Sequence, residues 1–164
     1  MADVLIALGG NVGDVRTAFS RVIPMIVERC RGKLVARSSD YETAPWGDTA
    51  QAPFIIACIR LETALEPRAL LKALHAIEAE FGRDRATERR WGPRPLDLDL
   101  LAYDDLTVTS DDLTLPHPRL FERAFVLVPL AEIAPDRVVA GQTSVQALKG
   151  LPTEGIRRLP PHMS

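Results

Sequence analysis

The sequence predicts an α+β fold: a mostly antiparallel sheet with helices packed on one face, followed by a C-terminal extension. Hydrophobic periodicity gives the element order strand, helix, strand, strand, helix, strand, which is a split βαβ pattern. The 164 residues are 46% hydrophobic and 26% charged, which is ordinary for a globular domain with its own core. We expect a single domain over residues 1–164, in which residues from about 150 to 164 form a loosely held tail.

The first half of the chain carries three predicted strands and one helix. Residues 4–8 are a continuous apolar run that ends in a glycine-rich turn, as buried strands do. Residues 14–30 have apolar side chains at helical spacing, although Pro24 should kink that helix or leave one hydrogen bond unmade. Residues 33–41 and 54–63 are the second and third predicted strands, and the loop between them contains two prolines and a glycine.

The second half begins with the clearest helix of the chain, residues 66–81, where Pro67 occupies an early position and leucines form one stripe. A loop dense in arginine follows. Residues 96–103 are the fourth predicted strand, and 107–109 could form a short hairpin arm. The extension contains a third predicted helix at 122–132.

Composition excludes several classes of protein. The formal net charge of −2 argues against a surface that binds nucleic acid throughout. No apolar run approaches the roughly 20 residues that span a bilayer, and the N-terminus lacks a signal-type segment. Cys30 and Cys58 are too few for a disulfide framework or a zinc site, so a cytoplasmic protein is the default expectation.

The most informative feature is a pair of aspartates in the fourth predicted strand. Asp97 and Asp99 are two residues apart, so their side chains share one face while the flanking leucines share the other. Two carboxylates roughly 7 Å apart repel each other by about 2 kcal/mol at an effective dielectric near 20. A cation would offset this repulsion, and magnesium, which binds one or two carboxylates together with substrate phosphates, is the natural candidate.

An arginine-dense loop directly precedes the aspartates. Guanidinium groups bind phosphate oxygens bidentately, so this loop beside a two-carboxylate site indicates a polyphosphate nucleotide. The alternative is a solvated basic loop followed by an edge strand with two exposed acids. The arginines are Arg83, Arg85, Arg89, Arg90 and Arg94.

Other candidate residues give weaker signals. The glycine run 9–13 lacks the spacing of a phosphate loop or a dinucleotide site, so we interpret it as a strand-to-helix turn. His117 lies between two prolines and is either a phosphate contact or an exposed structural residue, whereas His75 is interpreted as structural. Four aromatic residues could wall a flat ligand or pack in the core: Trp46, Phe54, Trp91 and Phe125.

The stretch at 90–101, Arg-Trp-Gly-Pro-Arg-x-x-Asp-Leu-Asp-Leu-Leu, resembles the signature of the 6-hydroxymethyl-7,8-dihydropterin pyrophosphokinase family of the folate pathway. The likeness covers nearly the whole chain. Its further segments are 7–14, 41–43, 78–83, 115–118 and 125–130. The resemblance implies a ferredoxin-like α+β fold. It also implies transfer of pyrophosphate from ATP to the pterin hydroxymethyl group, with release of AMP. Because the chain is too short to carry the fused folate-pathway domains that some relatives have, we expect an enzyme with one activity.

The same resemblance implies a set of site residues. Asp97 and Asp99 would bind two magnesium ions, and Arg83 and Arg94 would complete the catalytic group. The positions that correspond to ATP-binding residues are Glu78, Arg85, Arg90, Leu100, Thr114, His117 and Arg123. The positions around the pterin are Thr43, Ala44, Trp46, Phe54, Trp91, Asp97 and Phe125.

Two positions depart from the family pattern. Ile56 stands where a pterin-binding asparagine is expected, and Asp112 stands where an arginine is expected near the phosphates. We therefore expect weaker binding of pterin or ATP than in a typical member.

Three alternatives remain: a diverged relative with another acceptor, a ferredoxin-like RNA-binding module, and a purely structural protein. The sequence lacks the aromatic stacking platform that an RNA-binding module of this kind needs. The expected partners are ATP and a hydroxymethyl-dihydropterin, with no nucleic acid and no membrane, and we expect a monomer.

Overall fold

The structure, a computed structural model, describes residues 1–44, 51–82 and 95–162. Within these ranges the chain forms eight strands and four α-helices, with one short 3-10 helix at Leu120–Glu122. The strands are β1 (Ala2–Gly10), β2 (Gly32–Arg37), β3 (Tyr41–Thr43), β4 (Phe54–Thr63), β5 (Asp97–Tyr103), β6 (Val108–Thr109), β7 (Thr114–Leu115) and β8 (Arg157–Arg158). The helices are α1 (Val15–Arg29), α2 (Pro67–Glu80), α3 (Ala124–Ile133) and α4 (Ser144–Leu148).

The main sheet is antiparallel and has the order β5-β1-β4-β3-β8, with β2 paired to the other half of β4. The predicted strand at 33–41 is two strands, because the chain leaves the ladder at residues 38–40. There the Ser38 hydroxyl accepts the backbone N–H of Cys58 at 2.8 Å, so a side chain replaces a backbone carbonyl in the ladder. The predicted hairpin arm is confirmed as the β6–β7 pair.

Helices α1 and α2 pack on one face of the sheet, as the split βαβ pattern predicts. Phe19 and Ile26 of α1 and Leu74 of α2 are fully buried there against β1 and β4. Asp14 caps α1 by accepting the backbone N–H of Thr17 at 3.2 Å. The proline inside α1 is exposed, which allows the carbonyl that it leaves unpaired to face solvent.

The C-terminal extension covers the opposite face, for which the sequence pattern predicted no cover. Leu127 and Leu130 of α3 pack there against Leu5 of β1 and Leu101 of β5. The sheet is thus buried on both faces, which is why β1 is apolar along most of its length instead of alternating. No helix within the described ranges is long and apolar enough to cross a membrane.

The tail differs from its prediction. Residues 157–158 pair with β3, and the backbone N–H of Leu159 donates to the Asp40 carbonyl at 2.9 Å. A loosely held segment was expected because this stretch is short and rich in proline. The open edge of β3 supplies backbone hydrogen-bond partners that hydrophobic periodicity does not reveal.

Gly32 begins β2 where the backbone of β4 approaches closely. A Cβ at this position would lie 2.7 Å from the Glu62 carbonyl oxygen and 3.0 Å from Leu61 Cδ1. We expect Gly32→Ala to lower the free energy of unfolding by about 1–3 kcal/mol, because a backbone atom must move. Urea denaturation measures the change.

Gly150→Ala is the matched control for this substitution, because nothing lies within 4 Å of the point that a Cβ on Gly150 would occupy. It should change stability by less than about 0.5 kcal/mol. Equal stability of the two variants would contradict the close approach at Gly32.

Candidate active site

Asp97 and Asp99 lie on the face of β5 that points toward α3. Asp97 is opposite Gly9 and Asp99 is opposite Ala7, and Ala7 belongs to the core beneath α3. Leu98, between the two aspartates, points the other way and is buried beneath α1 and α2. The two carboxylates therefore share one face, as strand alternation predicts, and both are partly exposed.

Glu78 of α2 holds this part of β5 from the other side of the sheet. Its side chain is only 1% exposed, and Oε2 accepts the backbone N–H of Leu98 at 2.7 Å. The hydrogen bond fixes the residue between the two aspartates. Glu78 thus contacts the strand that carries the carboxylates, a position that the sequence pattern alone did not indicate.

The guanidinium of Arg123 stands beside Asp99. Arg123 Nη1 lies 4.0 Å from Asp99 Oδ2, and its guanidinium carbon is 5.8 Å from the centre of the Phe125 ring. Both partners of the ion pair are partly exposed, with 20% and 29% of their side chains accessible. Arg123 therefore contributes a cation at the carboxylate pair while its side chain packs near an aromatic ring.

His117 is fixed in the loop that follows β7. Its backbone N–H donates to the Leu101 carbonyl at 2.9 Å, and its Nδ1 accepts the backbone N–H of Arg119 at 3.2 Å. Burial and the charge of Arg123 lower the pKa of His117 to about 4, with Asp97 opposing the shift and Arg119 adding to it. The ring is therefore neutral at pH 7, with Nδ1 as an acceptor and Nε2 carrying the proton.

A stability measurement tests the environment of His117. Its folded-state pKa is below the ordinary value of 6.5, so the unfolded chain binds this proton first as the pH falls. The stability contributed by the neutral ring is complete above about pH 6.5 and is lost as the pH falls toward 4. Wild type should lose free energy of unfolding more steeply than His117→Gln over this window. Parallel curves for the two proteins would contradict a partly buried, neutral His117.

A groove of about 270 Å³ is lined by residues of β5, including Asp99, and by residues of α2 and β7. It brings together three of the residues that the sequence assigned to ATP, namely Leu100, Thr114 and His117. Its remaining walls are Leu71, His75, Leu98, Asp112, Leu113 and Pro118. His75 was interpreted as structural, whereas it lines this groove. It lies four residues after Leu71 on α2, and that i, i+4 spacing is the signal that could have indicated a shared surface.

A second group of residues lies at the same end of the sheet. Cross-strand pairing aligns Ile56 with Gly9 and Gly9 with Asp97, and the neighbouring pair is Thr43 with Phe54. Phe54 and Ile56 are two residues apart and so share the face that carries Asp97. Thr43 is buried, whereas Ala44, which follows it, is exposed. The structure thus places Phe54 and Thr43 on the same face and at the same end of the sheet as Asp97, two and three strands from β5, and Phe125 packs against the core on the same side.

The two departures from the family pattern have different surroundings. Ile56 is buried, and its Cδ1 would lie 2.9 Å from a Cβ on Gly9, so it covers that glycine. Asp112 is exposed and accepts the Arg68 Nε–H at 3.0 Å, and this hydrogen bond lowers the pKa of Asp112. Arg68 therefore offsets the acidic charge at the rim of the groove.

Six of the predicted site residues lie outside the described residues. They are Trp46, Arg83, Arg85, Arg90, Trp91 and Arg94. Their assignment remains a prediction from the sequence.

On an α+β domain, a carboxylate pair beside a groove and an arginine is typical of the class of metal-dependent phosphotransferases. Residues 5–135 match the model of the family described as 7,8-dihydro-6-hydroxymethylpterin-pyrophosphokinase. The chain belongs to this family.

Similar proteins of known name support the same conclusion. The 2-amino-4-hydroxy-6-hydroxymethyldihydropteridine pyrophosphokinase of Methylorubrum extorquens is 46% identical over 159 residues, which cover 97% of this chain and 99% of that protein. The protein of the same name from Bacillus subtilis is 42% identical over 128 residues, covering 78% and 75% of the two chains. The predictions of family and of an ATP-dependent pyrophosphokinase of folate biosynthesis are therefore confirmed.

Solved structures share the fold. A crystal structure of HPPK-DHPS in complex with substrates has a TM-score of 0.70 at 12% identity and covers 90% of this chain. The Plasmodium falciparum HPPK-DHPS wild type with pteroate has a TM-score of 0.71 at 13% identity, also over 90%. This chain spans only 43% and 42% of those two longer chains. The likeness confirms the predicted α+β, ferredoxin-like class.

Proposed function

We propose that this chain transfers pyrophosphate from MgATP to the hydroxymethyl group of 6-hydroxymethyl-7,8-dihydropterin at Asp97 and Asp99. The observation that carries the proposal is the position of this pair. Asp99 lines the groove that contains Leu100 and Thr114, and Asp97 lies at the end of the sheet that carries Phe54 and Thr43 on the same face. Donor and acceptor would therefore meet at the carboxylates.

Magnesium fits the donor set that these residues offer. The two carboxylates are partly exposed oxygen ligands, and the described part of the chain has no group of three or more His, Cys, Asp or Glu that could hold a metal alone. Magnesium commonly takes one or two carboxylates together with substrate phosphates and water. Asp97 and Asp99 would hold it, with two ions expected, and when bound it would neutralise phosphate charge and polarise the reacting phosphorus.

The groove supports a binding mode for ATP. Leu71, Leu100 and Leu113 give it apolar walls for the base, and Asp99 and His117 give it polar walls for the phosphates. The neutral ring of His117 can donate from Nε2 to a phosphate oxygen because its Nδ1 is already an acceptor. Arg123, beside Asp99, would balance phosphate charge.

The acceptor would lie over the sheet end beside Asp97. Phe54 and Phe125 offer aromatic faces for a flat ring, and Thr43 offers a hydroxyl at the adjacent strand position. The acceptor hydroxyl oxygen forms a bond to the β-phosphorus, the bond from that phosphorus to the oxygen bridging the α-phosphate breaks, and AMP leaves with the electron pair. The hydroxyl proton passes to solvent. The protein's part is mainly positioning and charge stabilisation.

The cellular location, oligomeric state and partners of the enzyme are part of the same proposal. Cys30 and Cys58 are free and buried, and burial raises the pKa of the Cys30 thiol to about 11, so this thiol stays protonated and unreactive. These features support a cytoplasmic enzyme. We further propose that the chain acts as a monomer on ATP and the pterin, without nucleic acid or membrane as a partner.

AMP formation tests the proposal directly. The purified protein should release AMP from ATP only when both magnesium and hydroxymethyl-dihydropterin are present, and EDTA should abolish the reaction. Mass spectrometry should find the diphosphate ester of the pterin in amounts equal to AMP. AMP release that does not depend on the pterin would contradict the proposed acceptor.

One observation favours a second candidate, a diverged relative with another acceptor. Ile56 presents an apolar side chain next to Gly9, in the cross-strand row that ends at Asp97, where an amide could have bound a polar ring edge. Turnover of a non-pterin primary alcohol at a higher kcat/KM than the pterin would support this candidate.

A further inference from the structure

Strand β3 carries Thr43 into the acceptor side of the site, yet it is only three residues long. Its pairing with β4 covers Tyr41 to Thr43, so few ladder hydrogen bonds hold it. On the side of α3, the Tyr41 hydroxyl donates to Glu132 Oε1 at 2.7 Å. The position of Thr43 therefore depends on contacts outside the ladder.

Asp40, the residue directly before β3, supplies several of these contacts. Its side chain is only 2% exposed, with Oδ2 accepting Arg16 Nε–H at 2.8 Å and Oδ1 accepting Arg37 Nη1–H at 3.0 Å. Arg16 is in the first turn of α1, which begins just after the turn that follows Gly9. The Asp40–Arg16 pair thus joins the start of β3 to the start of α1.

The C-terminal segment closes the same junction from outside. Arg158 pairs with Tyr41 along the open edge of β3, and the N–H of Leu159 donates to the Asp40 carbonyl at 2.9 Å. The Arg16 guanidinium also donates to the Pro160 carbonyl. Asp40 is the shared partner, because its side chain binds α1 while its carbonyl binds the C-terminal segment.

We infer that Asp40 and the C-terminal strand β8 are positioning elements for the acceptor side of the site. They hold β3 so that Thr43 stays aligned with Phe54, and they do not touch the nucleotide groove. The inference rests on the proposed function for the identity of the acceptor. The inference predicts different effects on the two substrates, because a displaced β3 weakens binding of the pterin and leaves ATP binding unchanged.

Steady-state kinetics of two full-length variants test this inference. Asp40→Asn keeps the shape and removes the charge, and we expect it to raise KM for the pterin by about tenfold, with KM for ATP and kcat changed by less than about threefold. Leu159→Pro removes the N–H that binds Asp40, together with the leucine side chain, and it should raise the same KM by about threefold. If Asp40→Asn does not fold, the kinetics of Leu159→Pro alone test the inference.

Glu80→Gln is the matched control, because it removes an ion pair with Arg29 at the far end of α1. It should leave both KM values unchanged. A KM for the pterin that stays unchanged in Asp40→Asn and Leu159→Pro, or a KM for ATP that rises equally, would overturn the inference even if the melting temperature falls.

Hydrogen exchange separates this inference from the proposed function. The amides of residues 41–43 should exchange faster in Asp40→Asn and Leu159→Pro than in wild type or Glu80→Gln. If wild type fails to turn over the pterin, the proposed function fails, whereas exchange at β3 still tests whether Asp40 fixes the strand. Unchanged exchange at β3 in both variants would overturn the positioning role.

Discussion

Replacing either aspartate of the β5 pair should abolish most of the activity. We expect Asp97→Asn and Asp99→Asn each to lower kcat by at least about 100-fold, since losing one electrostatic stabiliser of a transition state costs about 10²–10³ in rate. Each amide loses the negative charge that binds magnesium and leaves the shape of β5 unchanged. AMP release measured across a magnesium titration gives kcat and the magnesium requirement together.

Asp105→Asn is the control for these substitutions. Asp105 is exposed in the turn after β5, on the same segment but outside the site. It should leave kcat and the magnesium titration unchanged. Turnover by Asp97→Asn or Asp99→Asn at the level of Asp105→Asn would show that the pair does not bind the metal.

Glu78→Leu should have the next largest effect, because it acts on stability and on activity. The substitution leaves the buried Leu98 N–H without its acceptor, and we expect a loss of about 1–3 kcal/mol in the free energy of unfolding. The same loss frees the residue between Asp97 and Asp99, so kcat should fall by about tenfold or more. Urea denaturation and AMP release measure the two effects.

Glu78→Gln separates the hydrogen bond from the charge. Its amide oxygen can still accept the Leu98 N–H, so stability should fall by less than about 1 kcal/mol and kcat should be higher than in Glu78→Leu. If Gln and Leu at this position behave alike, the hydrogen bond to β5 is not what positions the aspartates.

Local patterns in the sequence were enough for most of the secondary structure. The apolar stripe and Pro67 predicted a helix at 66–81, and α2 runs from Pro67 to Glu80. The third predicted helix, at 122–132, corresponds to α3 and the 3-10 helix before it. These elements were predictable because periodicity and capping act between residues a few positions apart.

The division of residues 33–41 into two strands was not predictable in this way. It depends on Ser38 and Asp40, whose side chains bind Cys58 and Arg16 from other elements. The pairing of the C-terminal segment with β3 has the same origin. In each case the deciding partner lies at least 20 residues away, beyond any local pattern.

By itself the sequence determined most of the first six elements, the family and the shared face of Asp97 and Asp99. The shared face follows because a strand's alternation fixes which way its side chains point. Only the tertiary structure decided what surrounds that pair. It placed Glu78 beneath β5, brought His75 into the groove and set Ile56 over Gly9. These contacts join different strands and helices, and they depend on the register of the sheet and the packing of α2 and α3, which no single segment specifies.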